Sequence, residues 1–284
     1  MSSCPSSLAL DAALANDWYV VADGSTLSRE PSSTRLFGQP VRIWRENCGT
    51  ARVLLADETL APVKERYGFI WTSPGEPEGE VLDIPEASDD ERHVLCGGSF
   101  GVHVSGLRAV ENFLDMGHFP FVHSDYLGIE PHTEVRPYSV DIENGVLVAS
   151  NCEFFQPVAS PTANDGMIVD YDYKVFSPFV VALYKTNPGY ENRRDFIALF
   201  IQPTSEEHCV VHTFLAYLKK DIDAATVRWF MQLIFAQDKP ILENQIPKRL
   251  PLAPSAETPI RADAASVGYR RWLRQLGVRY GAIS

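Results

Sequence analysis

The chain has 284 residues, 45% of them apolar, 22% charged and 11% aromatic, a composition that suits a soluble globular protein and excludes a disordered or fibrous one. Its 25 Lys and Arg stand against 37 Asp and Glu for a net charge of −12, so a phosphate backbone would meet a repulsive average field and nucleic-acid binding is not expected. No apolar run approaches the roughly 18–20 residues that cross a bilayer, and the first residues have neither the basic start nor the apolar stretch of a secretory leader, so a cytoplasmic protein with no membrane partner is expected.

In chain order, residues 18–21, 40–45, 52–55 and 67–72 read as short strands bounded by Gly, Pro, Asp or Ser. The acidic, proline-containing stretch 73–92 has little periodicity and reads as a connection, which puts a small β-rich first domain at residues 1–95 and a second at 96–284. Residues 94–104 read as another strand, after which Ser105 caps a helix from 106 to about 119, where Pro120 removes a backbone donor. Strand-like segments follow at 146–150, 167–175, 180–186, 195–202 and 209–218, separated by turn residues, and predict an antiparallel sheet. A long helix starting at Asp221 or Asp223 carries Val227, Phe230, Met231, Ile234 and Phe235 on one face. A proline-rich stretch, 247–259, leads to an Arg-rich helix around 264–276 that Gly277 stops. The cysteines, Cys4, Cys48, Cys96, Cys152 and Cys209, are odd in number and scattered, which suits reduced thiols.

Ionisable residues interrupt two of the apolar faces. The first helix's stripe runs from Leu107 through Val110, Glu111, Leu114 and Asp115 to His118, and Asp115 and His118, about 60° apart around a helix, are neighbours that can hydrogen-bond. His123 lies five residues beyond His118, and Pro120 between them can swing its ring towards the first. The long helix's stripe lands on Asp238, near Pro240, where a carboxylate is costly unless paired or bound to a metal. Taken singly, each histidine also fits a hydrogen-bonded core or surface role, and Asp238 also fits a cap for a helix restarted at Pro240. Together, two imidazoles and one carboxylate from separate elements are the ligand set of non-heme Fe(II) oxygenases, which leave positions open for O2 and substrate.

The string from Gly106 to His123, with Asp115, His118 and His123 in an Asp-x2-His-x4-His pattern, resembles the iron motif of Rieske-type non-heme iron oxygenases. So do its flanks: Asn16-Asp-Trp-Tyr-Val-Val-Ala, Pro62-Val-Lys-Glu-Arg-Tyr-Gly-Phe-Ile-Trp and Asp238-x4-Glu243-x-Gln245. The resemblance implies an α+β protein with a helix-grip catalytic domain, whose antiparallel sheet and long helices enclose one mononuclear Fe(II), plus a small β-rich remnant of a Rieske domain. It implies His118, His123 and Asp238 as iron ligands, Asp115 as the link from His118 to a Rieske cluster, and Asn112 as a motif position near the iron.

A Rieske centre takes two cysteines and two histidines from Cys-x-His and Cys-x2-His hairpins. This chain has no Cys-x-His; its one Cys-x2-His, Cys209 to His212, lies on an expected strand of the other domain and reads as structural. Only a few residues separate Ala51-Arg-Val-Leu-Leu from Pro62-Val-Lys-Glu-Arg, where family members carry the cluster-binding region. The chain is in this respect similar to the Rieske-less N7-demethylase branch of bacterial methylxanthine (caffeine) degradation. That resemblance implies an O2- and NAD(P)H-dependent monooxygenase component that converts 7-methylxanthine to xanthine and formaldehyde, with electrons from a partner reductase bearing the [2Fe-2S] Rieske centre and with a possible further oxygenase or structural subunit. O-demethylation or ring hydroxylation of another small aromatic compound, and a non-catalytic ligand-binding or scaffold subunit, are the alternatives. The arginines Arg270, Arg271, Arg274 and Arg279 suit either a docking surface for an acidic redox partner or a solvated face, and Tyr171, Tyr173, Tyr184 and Phe214 are candidate pocket residues whose facing the alternation leaves open.

Overall fold

Strand periodicity dominates the structure, a computed structural model that describes residues 10–160, 165–218 and 222–284. A helical turn, α1 (Ala12–Ala15), precedes six short strands: β1 (Tyr19–Asp23), β2 (Ser32–Leu36), β3 (Gln39–Arg45), β4 (Ala51–Leu54), β5 (Val63–Arg66) and β6 (Phe69–Thr72). They make two antiparallel three-stranded sheets, in the orders β1-β6-β5 and β2-β3-β4.

The rest of the chain is built on one seven-stranded sheet. Strand β7 (Arg92–Val102) leads through helices α2 (Gly106–Leu114) and α3 (Phe119–Val122) to β8 (Ser139–Glu143), β9 (Val146–Gln156), β10 (Met167–Ser177), β11 (Val180–Thr186), β12 (Arg194–Ser205) and β13 (His208–Leu218). The order β7-β13-β12-β11-β10-β9-β8 is antiparallel throughout, so β7 and β8 are opposite edges and the two helices cross between them before a meander returns the chain. Helix α4 (Ala224–Glu243) then follows, and β14 (Leu250–Pro251), α5 (Ala264–Gln275) and β15 (Ala282–Ile283) complete the chain.

The two faces of this sheet are covered differently because successive side chains point to opposite sides. Tyr171, Tyr173, Val175, Leu183, Ile197 and Leu215 join the core beneath α2 and α4. The intervening residues, Ala182, Phe196, Phe200 and Phe214, pack with Phe69 and Trp71 of the first small sheet and with Trp18 just before it, with Trp71 and Phe200 ring centroids 4.7 Å apart. Tyr184 and Phe214 belong to this second face, so of the four aromatic candidates only Tyr171 and Tyr173 face the helices.

Local chemistry explains the element ends. The Ser105 hydroxyl accepts from Leu107 N (3.2 Å) and donates to the Gly281 carbonyl (2.8 Å), capping α2 and tying it to the C-terminus. Asp223 caps α4 through Thr226 N at 2.9 Å and its hydroxyl at 2.8 Å; Asp221 lies outside the described residues. The first helix ends at Leu114, short of the expected 119, because Asp115 turns to an extended backbone. Helix α4 runs through Pro240 to Glu243, so Asp238 sits inside a helix and is not a cap. Strands β2 and β8 lacked an apolar alternation in the sequence because nearly all their residues are exposed or half-buried.

Cys209 and His212 point to opposite faces of β13. Cys209 is in the core beneath the helices, whereas His212 is buried between Ser99 Oγ (2.8 Å) and Gln202 Oε1 (3.2 Å), and burial lowers its pKa to about 4. Cys48, Cys96, Cys152 and Cys209 are free thiols, and Cys4 lies outside the described residues. No helix of the described residues is long and apolar enough to cross a membrane.

Gly106 sets the distance between α2 and the sheet: a Cβ there would lie 2.7 Å from Ile201 Cγ2 and 2.9 Å from Phe179 Cε1. Gly106→Ala should cost roughly 1–3 kcal/mol of stability by overpacking. A lower urea midpoint with unchanged slope is the expected readout; an unchanged midpoint would show that the contact is not tight.

Candidate metal centre and cavity

The corner between α2 and α3 places two histidines at the ends of a single helical turn. Asp115 accepts from Gly117 N at 2.7 Å with one carboxylate oxygen and meets His118 Nδ1 at 3.1 Å with the other, which fixes that ring. His118 is the N-cap of α3 and His123 its C-cap, and the turn from Phe119 to Val122 brings the two rings to the same side. Pro120 occupies the first turn, where its missing N–H costs nothing, so it starts this helix where the sequence suggested a break. A Cβ on Gly128 would come within 2.6 Å of Pro120 N, so the chain beyond His123 folds closely back over α3.

Asp238 reaches the same point from α4. His118 Nε2 lies 3.1 Å from His123 Nε2 and 3.3 Å from Asp238 Oδ1, and His123 Nε2 lies 3.1 Å from the same oxygen. Neighbouring donors about 2.1 Å from a six-coordinate ion are about 3.0 Å apart, so this near-equilateral triangle matches one face of an octahedron and leaves the opposite face open. The donor chemistry, two imidazoles and a carboxylate, fits a divalent transition metal. Asn112 Nδ2 donates to Asp238 Oδ1 at 3.1 Å, and His123 Nδ1 meets Gln237 Oε1 at 2.9 Å. Both rings therefore have an oxygen acceptor on the nitrogen turned away from the cluster, which orients the other nitrogen inward.

The electrostatics call for a cation. Burial opposes protonation of His118, but the carboxylates of Asp115 and Asp238 outweigh it and raise its pKa to about 9. Burial likewise opposes the charge of Asp238, and the two histidines nevertheless hold it well below the usual carboxylate range. The side chain of His123 is 1% exposed, that of His118 14% and that of Asp115 31%, so the cluster runs from a deep ligand to a surface carboxylate.

The cluster opens into a cavity between the sheet and α4. Its walls are mainly apolar, from Ala109, Phe113, Leu183, Leu199, Phe230 and Ile234 among others, and its polar positions beyond the cluster are Asn112, Tyr171, Tyr173, Tyr217 and Lys185. The apolar stripe of α4 read from the sequence packs on strand β7, where Phe235 stacks on Phe100 with ring centroids 4.3 Å apart, and it also lines the cavity. Gln237 and Lys185 were missed: Gln237 sits off that stripe beside Asp238, and Lys185 ends an apolar strand run, which was the available signal. On the other side of Asp115 lies a surface depression shared with Arg108, Glu111, Glu257, Arg270 and Arg274. There Arg270 Nε pairs with Glu111 at 2.5 Å and Arg108 with Glu257 at 2.7 Å, so Arg270 belongs to an ion-pair network; Arg279 pairs with Asp11 at 3.2 Å, and Arg271 and Arg274 are exposed.

Residues 102–279 match the family described as the vanillate O-demethylase oxygenase C-terminal domain, and over 271 residues the chain is 44% identical to a probable methylxanthine N7-demethylase, NdmC, from Pseudomonas sp. strain TJI-51. The chain belongs to the Rieske-type non-heme iron oxygenases. That match covers 94% of this chain and 95% of its relative. Two solved structures share the oxygenase fold. NdmA of Pseudomonas putida CBB5 with caffeine superposes with a TM-score of 0.74 at 19% identity, over 92% of this chain and 90% of that one. Dicamba monooxygenase with non-heme iron and dicamba gives 0.68 at 16% identity, over 93% and 97%. This oxygenase is accordingly an α+β oxidoreductase related to the methylxanthine N-demethylases.

Gln237→Ala removes the acceptor on His123 Nδ1 without touching a metal-facing atom. Metal affinity, measured by competition with a chelator, should fall about 10- to 100-fold while the thermal midpoint of the metal-free protein stays near wild type; unchanged affinity would show that Gln237 does not orient the ring.

Proposed function

We propose that this chain is the catalytic component of a multicomponent monooxygenase that removes the N7-methyl group of 7-methylxanthine, giving xanthine and formaldehyde. The observation that carries the reading is the triangle of His118, His123 and Asp238 at the wall of a mainly apolar cavity. The 44% identity to a probable methylxanthine N7-demethylase over nearly the full length of both chains supports the substrate class.

In this reading His118, His123 and Asp238 hold one Fe(II), which supplies the activation of O2 beside the substrate. The cavity walls hold a flat aromatic ring and exclude bulk water. Asp115 and Gln237 keep the two imidazoles oriented, and Asn112 holds the Asp238 carboxylate against the pair. One oxygen atom enters a C–H bond of the N-methyl group and the other leaves as water, consuming two electrons and two protons; the N-hydroxymethyl product then breaks its C–N bond to give N–H and formaldehyde.

Electrons come in trans, from a partner reductase that draws on NAD(P)H and carries the [2Fe-2S] Rieske centre, and the scheme leaves a place for a further oxygenase or structural subunit. We read residues 1–95 as a reduced Rieske-like region and 96–284 as the catalytic domain. Residues 1–95 contain two cysteines, Cys4 and Cys48, and a single histidine, His93, so they lack the two histidines that a Rieske cluster takes. The half-exposed Asp115 gives such a donor a carboxylate at the surface, joined by one hydrogen bond to His118.

Protein purified without oxygen should contain about one iron per chain and no acid-labile sulfide, and a His118→Ala/Asp238→Ala variant should lose the iron. A sulfide-containing cluster would overturn the supply of electrons in trans, and an iron-free wild type would favour a ligand-binding or scaffold subunit. With a Rieske reductase and NAD(P)H, formaldehyde should appear in step with a product lighter by one methylene; a product heavier by one oxygen would instead identify a ring hydroxylase, and release from a methoxyarene alone an O-demethylase. Asp115→Ala should lower turnover far more than iron content, and equal loss of both would remove Asp115 from the electron route.

A further inference from the structure

The cavity contains a polar row that the iron chemistry does not use. Strand pairing sets Tyr171 of β10 opposite Lys185 of β11, and Lys185 opposite Asp195 of β12. One pleat further along, Tyr173 stands opposite Leu183. Tyr171, Tyr173 and Lys185 all line the cavity that also contains His118, His123 and Asp238.

Two of these residues are buried and make no side-chain hydrogen bond among the described residues. Lys185 is 5% exposed, and among the described residues its ammonium makes no hydrogen bond and meets Asp195 only through space, beyond 4 Å. Tyr173 is 1% exposed, and its hydroxyl is a buried polar atom with no hydrogen-bond partner. A buried donor left unsatisfied carries a free-energy cost, which a bound molecule with acceptors in the right place removes. Asp195 is different: it is fully buried and engaged by Asn187 Nδ2 at 3.0 Å and Leu218 N at 2.9 Å.

We propose that Lys185 and Tyr173 anchor the substrate, donating hydrogen bonds to ring carbonyl oxygens of a neutral, planar oxo-heterocycle held in the cavity shared with the metal cluster. The proposal rests on the reading of this cavity as an N-demethylase pocket and narrows what the pocket selects. Donors are what the site offers, so the ligand must bring acceptors. The facing Asp195 offsets the lysine's charge: burial lowers the Lys185 pKa to about 8 and raises that of Asp195, and the pair carries no net charge whether the proton sits on one or the other. A neutral carbonyl therefore suits the row better than a carboxylate, which would add an uncompensated charge to an apolar cavity.

Equilibrium binding to the iron-loaded full chain, under anaerobic conditions and without reductase, tests this with three probes: 7-methylxanthine, 7-methylpurine, which has the same ring and methyl group but no ring oxygens, and vanillate. Wild type should prefer 7-methylxanthine. Lys185→Met should weaken 7-methylxanthine about 10- to 100-fold and leave 7-methylpurine nearly unchanged, so that discrimination between the two collapses. Tyr173→Phe, which keeps the ring and its packing against Phe113, should lose part of the same discrimination and keeps the test open if Lys185→Met does not fold. A wild-type ratio of affinities in a folded variant of each residue overturns the proposal and leaves the demethylase reading standing. Preferred binding of vanillate that Lys185→Met abolishes overturns the neutral ligand in favour of a carboxylate. A wild type that binds neither purine overturns the demethylase reading, and this proposal with it.

Discussion

A carboxylate and two imidazoles whose donor atoms lie 3.1–3.3 Å from one another, at the wall of an apolar cavity, are the constraint around which the seven-stranded sheet and its helices are arranged. Held that close and out of water, they are stable only with positive charge among them, whether a proton or a metal ion. The topology meets this demand from two remote stretches of sequence. The corner between α2 and α3 presents His118 and His123, and α4 brings Asp238 more than a hundred residues later. The antiparallel sheet supplies a floor whose upward side chains are mostly apolar, and outside the cluster Lys185 is the one charged residue lining the cavity among the described residues.

The surroundings of the cluster are asymmetric in a way that separates two tasks. His118 and its partner Asp115 lie towards the surface, whereas His123 and its partner Gln237 lie on the buried side. In the proposed scheme an electron donor arriving from outside meets the Asp115 side without entering the cavity, and a substrate occupies the cavity without covering Asp115. The ion pairs of Arg108 and Arg270 with Glu111 and Glu257 bind α2, α5 and the proline-rich stretch together beside that entry. They clamp α2 at Arg108 and Glu111, directly beside Asn112.

Much of this was legible in the sequence because the informative residues break a pattern. Asp115, His118 and Asp238 stand where an apolar stripe calls for leucine, and that departure marks them without any knowledge of the fold. His123 was harder, since a spacing of five fits no helix face, and only the short turn α3 makes it a neighbour of His118. Gln237 and Lys185 were missed for different reasons. A glutamine beside an aspartate on a helix carries no periodic signal, and the facing of a strand residue depends on a register that the turns and bulges set. The same limit applied to Tyr184 and Phe214, which alternation allowed on either face and which pack against the first small sheet or its neighbours. Strands β2 and β8 were invisible because exposed edge positions need no apolar residues.

The covering of the sheet's second face gives residues before β7 a structural role that is independent of any cluster. Trp71 and Phe69 pack edge-on against Phe200, and Tyr67 packs against Phe214. Phe200 and Phe214 are buried on strands whose other faces floor the cavity, at Leu199 and Leu215. Exposing those two rings would cost roughly 3–6 kcal/mol, a large part of the 5–15 kcal/mol that holds an ordinary domain together. The proposed supply of electrons in trans would leave cluster ligands in this region without a use, yet the pocket floor still needs its back covered. Phe69 and Trp71 meet that second requirement by packing on Phe200, and neither is a metal-binding residue.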